Sequence, residues 1–304
     1  MKLAIPDLIS NSYFPAIAAV ELGLFADQGL DVTLELMVPV ETAFEGMRDG
    51  SVHFLGASAH LMAGGFPEWR GVKLICAQSQ GMYWFLVVRR DLGLQPGDLA
   101  GLGGLRIGAA PWVAMGLRRL LIEAGIDAEA KGIDIAPIPH AHGAGVNFGV
   151  AAARALQEGV VDGFWANGMG AELAVRSGAG SIILDARRDL QGQPGFNYTQ
   201  PVLAVADAFL AEHPGAAQAA VRAIAGAHRA LRQSPSLARS IGDALFPPAE
   251  AELIEALVRR DTPFYSTAIS PGFVSDMLQF SREVGFLKGH PAYADVVATG
   301  VGAD

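Results

Sequence analysis

Polar and apolar positions along this chain switch repeatedly between strand-like and helix-like spacing. The apolar opening MKLAI gives way to a polar tip, DLISNSY (residues 7–13). PAIAAVELGLF follows, with Ile17, Val20, Leu24 and Phe25 at helical spacing along one side. Gly29 in DQGLDV then permits a reversal into the extended run DVTLEL. Strand, polar turn, helix, glycine turn and strand make a β-α-β unit. Such units place their ligand crevice at the carboxyl end of the strand, here Ser10, Asn11, Ser12 and Tyr13.

The alternation continues. Strands are predicted at 2–6, 31–36, 52–56, 72–77 and 84–89, with helices at 41–49 and 59–65. A breaker-rich segment, LGLQPGDLAGLGG (92–104), interrupts it. A second block follows, with strands at 105–110, 133–139, 161–166 and 181–186 and helices at 112–124, 145–158 and 168–176. The loop RRDLQGQPGFNYTQ (187–200) leads into the apolar strand PVLAVAD. The remainder reads as helices at 208–212, 214–232, 235–245, 249–260 and 271–286. The expected fold class is α/β, with two β/α lobes. Lobe 1 takes residues 1–92 plus 200–304, with the C-terminal helices packing on it, and lobe 2 takes 93–199. Two crossings between lobes imply a hinge and a ligand cleft.

Composition narrows the class. The 304 residues suggest about two domains. Hydrophobic residues are 51% and charged residues 17%, which supplies a large core and argues against disorder. The net charge is −9 and no basic cluster occurs, so nucleic acid is excluded as a partner. No apolar run reaches the ~18 residues of a membrane span. The single cysteine, Cys76, sits in the apolar run VKLICA and reads as a buried small hydrophobe. The chain as written begins at its first strand, with no leader pattern before it. It is expected to be cytoplasmic as written, or periplasmic or cell-surface if a leader was removed.

The ordered segments AIAAVELGLFADQGLDVTLE, GMRDGSVHFLGASAHLMA, DLAGLGGLRIGA and ALQEGVVDGFWA resemble the type II periplasmic-binding-protein fold. They are most similar to the nitrate/sulfonate/taurine and thiamine-pyrimidine-precursor group of ABC-transporter substrate-binding proteins. The likeness spans roughly residues 2–230, and His53 stands where that family carries aspartate. It implies a monomeric solute-binding protein that closes on a small molecule and delivers it to an ABC permease. Two enzymes share related segments. The pyrimidine synthase of thiamine biosynthesis needs a lysine where this chain has Gly56, and a run of cysteines where it has only Cys76. A sulfinate desulfinase needs a cysteine near the position of Ser12.

The candidate contacts lie in loops at strand ends. Ser10 and Asn11 suit hydrogen bonding to a ligand or N-capping of the first helix, and Tyr13 can stack. Thr42 begins the next helix. In Gly56-Ala57-Ser58-Ala59-His60 the small residues allow close approach of a ligand, with Ser58 and His60 as polar contacts. Gln78, Ser79 and Gln80 follow the fourth strand; of these Gln80 is taken as a contact. In the second lobe, Ala110-Pro111-Trp112 opens a helix whose free amides suit an anion. His140 and His142 flank Ala141, but no third ligand lies nearby, so neither a metal nor another cofactor is expected. Trp165 and Asn167 end a strand, and Tyr198 lies near the second crossing. This lining is aromatic and amide-rich, with Arg89 and Arg90 the only basic pair near it. It predicts an aromatic or heteroaromatic ligand with an anionic group. The alternatives are a cytoplasmic enzyme of decarboxylase, dehydratase or desulfinase type with His60 or His142 as base, and an intracellular ligand sensor.

Overall fold

A computed structural model describes residues 1–139, 141 and 147–301. The chain divides into two compact units, Met1–Gly81 with Asn197–Asp304, and Met82–Phe196.

The first unit begins with β1 (Lys2–Ile5), α1 (Phe14–Glu21), β2 (Thr33–Leu36), α2 (Val40–Asp49), β3 (Phe54–Ser58), α3 (Leu61–Gly65) and β4 (Val72–Ala77). The second holds β5 (Phe85–Arg89), β6 (Arg106–Ala109), α4 (Pro111–Glu123), β7 (Asp134–Ala136), α5 (Phe148–Gln157), β8 (Gly163–Ala166), α6 (Gly168–Arg176), β9 (Gly180–Asp185) and α7 (Ala186–Asp189). The chain then returns to the first unit as β10 (Pro201–Ala206), α8 (Asp207–Glu212), α9 (Pro214–Gln233), α10 (Leu237–Leu245), α11 (Pro248–Asp261), α12 (Pro271–Glu283) and α13 (Tyr293–Val296).

Each unit has one five-stranded sheet, ordered β2-β1-β3-β10-β4 and β7-β6-β8-β5-β9. The two orders are the same once the strand that follows a crossing takes the fourth place. That strand runs antiparallel to its neighbours in both sheets, β10 beside β3 and β4, β5 beside β8 and β9. Both strands are covered on their two faces, and β10 (PVLAVA) is buried at every position. A continuous apolar run, rather than an alternating one, is what a doubly covered strand requires. The first crossing falls at Gly81–Met82, ahead of the 92–104 segment, because β5 bonds into the second sheet.

Local chemistry explains several helix starts. Asn147 caps α5 and Asn167 caps α6, each accepting an amide of the first turn (Val150 and Gly170). Helix α1 departs from the expected amphipathic pattern. It stops at Glu21, so Leu24 and Phe25 lie beyond it, and Phe14 through Ala19 are all buried. A helix that is apolar all round is enclosed on every side, which a one-stripe pattern does not describe.

Candidate functional site

The polar tip after β1 folds on itself before α1 begins. The Ser10 hydroxyl accepts the Ser12 amide at 3.1 Å. The expected Ser or Asn cap is not used: Tyr13 occupies the N-cap position without a side-chain bond, and Pro15 lies in the first turn. The Asn11 amide instead donates to the buried Asp261 carboxylate at 2.5 Å, tying the tip to the end of α11. Tyr13 brings its hydroxyl to 3.5 Å from the Ser58 hydroxyl at the end of β3. Gln200 faces Ala59, whose amide donates to its carbonyl. Because β1 and β3 are parallel and β10 opposes them, Ser10–Tyr13, Ser58 and Gln200 share one edge of the first sheet.

That edge holds three buried polar atoms with no hydrogen-bond partner among the described residues: Asn11 Oδ1, Ser12 Oγ and Gln200 Nε2. Leaving such an atom unsatisfied costs about 1–3 kcal/mol. In sequence Ser12 stands out as part of the polar tip, whereas Gln200 is only the last residue of a loop.

The remaining first-unit candidates are placed differently. His60 is fully buried, its ring 5.7 Å from Phe280 and 6.4 Å from Phe286, with its backbone amide 3.5 Å from the Thr199 hydroxyl. Tyr198 is buried and stacks parallel to Phe280 at 4.4 Å. Thr42 is exposed and donates to the Pro39 carbonyl. Gln80 donates to the Ser266 and Ala268 carbonyls.

Gln78 supports the edge rather than lining it. Its side chain accepts from Ala16 in the first turn of α1 and donates to the Val202 carbonyl on β10. Gly56 makes room for this amide: a Cβ there would lie 3.0 Å from Gln78 Nε2 and 3.1 Å from Ile5. The close approach expected of a ligand at Gly56 is thus made by Gln78. From the other side the His228 Nε2 donates to the Gln78 carbonyl at 2.7 Å. Burial pushes the His228 pKa down to about 4.

In the second unit, Trp112 is half-buried in the first turn of α4. Trp165 is fully buried, donates from Nε1 to the Val113 carbonyl at 3.1 Å, and meets Trp84 edge-on at 6.0 Å. The Asn167 carbonyl oxygen caps α6. His142 lies outside the described residues, as does His140. No cluster of three or more metal-ligating side chains occurs among the described residues.

The sequence reading overlooked Arg187. It follows β9, whose end at Asp185 pairs with Phe85 just as the end of β8 at Ala166 does, so Arg187 and Asn167 belong to the same sheet edge. Arg187 is buried, with its guanidinium 5.8 Å from the Tyr83 ring. Besides the Arg89-Arg90 pair, a buried guanidinium thus lies at the second sheet edge. In sequence, the Arg187-Arg188 pair is indistinguishable from a solvated loop; Arg188 does bond outward to Asp185.

The model of the family described as NMT1/THI5 like matches residues 10–238. The chain belongs to that family. Among curated proteins none matches it. Solved structures share its fold at low identity. The periplasmic aliphatic sulphonate-binding protein SsuA from Escherichia coli superposes with a TM-score of 0.72 at 12% identity, covering 93% of this chain and 90% of its own. The periplasmic nitrate-binding protein NrtA from Synechocystis gives 0.70 at 13%, covering 97% and 83%. A Cys-to-Ser mutant of DszB in complex with biphenyl-2-sulfinic acid gives 0.68 at 15%, covering 99% and 97%. The fold of this NMT1/THI5-like chain is that of the type II periplasmic-binding proteins.

Proposed function

We propose that this protein is the solute-binding component of an ABC import system and takes a small aromatic or heteroaromatic molecule with an anionic group. It acts as a monomer, outside the membrane, with an ABC permease as partner. No helix among the described residues is long and apolar enough to cross a membrane. The observation that carries the reading is the set of unpartnered buried atoms at the first sheet edge, Asn11 Oδ1, Ser12 Oγ and Gln200 Nε2. Two can donate and one accepts, which suits a ligand with both an oxyanion or carbonyl and an N–H or O–H. Tyr13 at that edge supplies aromatic surface. The names of the fold relatives support the class: sulphonate, nitrate and an aromatic sulfinic acid are all small anions.

The test begins with mass spectrometry of whatever copurifies with the protein. Calorimetry then compares nitrate, taurine, aromatic carboxylates and pyrimidines. Binding of an aromatic anion, weakened about tenfold or more by Ser12→Ala, supports the reading. Tight binding of nitrate or taurine alone overturns it. Conversion of the bound compound to product, abolished by His60→Ala, would replace transport with the enzyme reading.

A further inference from the structure

Helix α12 presents two faces. One carries Phe280 against Tyr198 and His60. The other carries Val274, Leu278 and Arg282 at intervals of four, a single stripe that lines a groove of about 260 Å³. His290 and Tyr293 form the opposite wall, and Ser275 lies at the rim.

The opposite wall is held in place by contacts from elsewhere in the unit. The Glu68 carboxylate accepts the Gly289 amide at 2.8 Å and the Lys288 amide at 3.3 Å. A Cβ on Gly289 would stand 2.6 Å from Glu68 Oε2, so a larger residue there would displace the carboxylate. Glu68 and Trp69 sit at φ 54° and 59°, a region that costs side-chain-bearing residues about 1–3 kcal/mol each and persists only where the surroundings enforce it. The Tyr293 hydroxyl donates to the Ile269 carbonyl at 2.7 Å, and the Lys73 ammonium donates to the Ala294 and Asp295 carbonyls, both at 2.7 Å.

The groove is of mixed polarity, with the Val274 and Leu278 side chains and the Arg282 guanidinium along the α12 side. Several arginines on other helices pair with a carboxylate one turn away, as Arg119 does with Glu123, Arg176 with Glu172, Arg239 with Asp243 and Arg259 with Glu255. The Arg282 side chain has no ion pair or hydrogen bond among the described residues, nor does that of Ser275 or His290. A chain of net charge −9 thus keeps a guanidinium without an ion pair among the described residues beside this groove.

We propose that this groove is a second binding site, for a small carboxylate with an apolar body. The planar guanidinium of Arg282 matches a carboxylate through two parallel hydrogen bonds. The Ser275 hydroxyl and the His290 imidazole offer further bonds, and Val274, Leu278 and the Tyr293 ring cover the body. The volume, just under the ~300 Å³ at which ordinary ligand pockets begin, limits the occupant to one ring or a short chain. None of these residues belongs to either sheet edge, so the site stands or falls apart from the transport reading.

Benzoate and its neutral counterpart benzamide test it on the full chain. In an NMR titration, benzoate produces saturable shifts at the Val274 and Leu278 methyls and the Tyr293 ring. Benzamide binds there about tenfold more weakly, and Arg282→Gln weakens benzoate by a similar factor. Ser275→Trp fills the groove mouth and abolishes the shifts, which keeps the test decisive if Arg282→Gln fails to fold. The proposal is overturned by equal affinity for benzamide, by shifts that fail to saturate or remain in folded Ser275→Trp, or by shifts confined to residues 10–13 and 58–60.

Discussion

His228 and Cys76 show how burial alters the chemistry of a residue. The His228 ring donates to the Gln78 carbonyl and stacks on Tyr265 at 5.1 Å, and burial depresses its pKa to about 4 from the usual 6.5. A folded pKa below the unfolded one means that the unfolded chain binds the extra proton first. The stability contributed by neutral His228 is complete above pH 6.5 and is lost as pH falls toward about 4. The loss expected across that window is about 3 kcal/mol. Urea unfolding across the window should show this loss in the wild type and much less of it in His228→Gln, which retains a donor for Gln78. Burial pushes the Cys76 thiol up to about 12. A disulfide reagent at mildly alkaline pH should leave native protein unmodified and label it fully in guanidinium. Ser12 behaves oppositely. Its buried hydroxyl has no partner among the described residues, so Ser12→Ala should leave the melting temperature unchanged or raise it while weakening the ligand.

At the scale of elements, glycines divide into those that carry a close approach and those that do not. Helices α5 and α6 meet where a Cβ on Gly170 would lie 2.5 Å from the Gly149 carbonyl oxygen, a backbone atom that cannot rotate away. Gly170→Ala should cost about 1–3 kcal/mol by forcing the helices apart. Gly226 lies within α9, and its nearest neighbour for a Cβ is a Leu24 methyl at 3.4 Å, an ordinary contact. Gly226→Ala should stabilise by up to about 1 kcal/mol through helix propensity. Thermal unfolding of the two variants should therefore shift in opposite directions. The same scale explains the error at α1. Spacing of Ile17, Val20, Leu24 and Phe25 suggests a long stripe, but Gly23 at φ 71° ends the regular turn and the Leu24 and Phe25 amides fold back onto the Ala19 carbonyl.

At the scale of the whole molecule, the second unit is continuous in sequence and completes its own sheet, including β5. The excised segment Met82–Phe196 should fold alone, with a sigmoidal denaturation curve and far-UV circular dichroism of mixed α/β type. A segment begun at residue 93, as the breaker-rich composition suggests, loses β5 and should not. The sequence by itself determined the β/α alternation and nearly every element, because period is a local property. It also marked the polar tip Ser10–Tyr13 and the loop at Ser58, since strand carboxyl ends can be read from element order. Only the tertiary structure decided that Gln78 is a brace, that His60 lies among phenylalanines, that Arg187 is buried at a sheet edge, and that Gln200 shares an edge with Tyr13. Each of those depends on partners far away in the chain, as Asn11 depends on Asp261 and Gln78 on His228. A residue's bonding and burial are set by those partners, and no local pattern contains them.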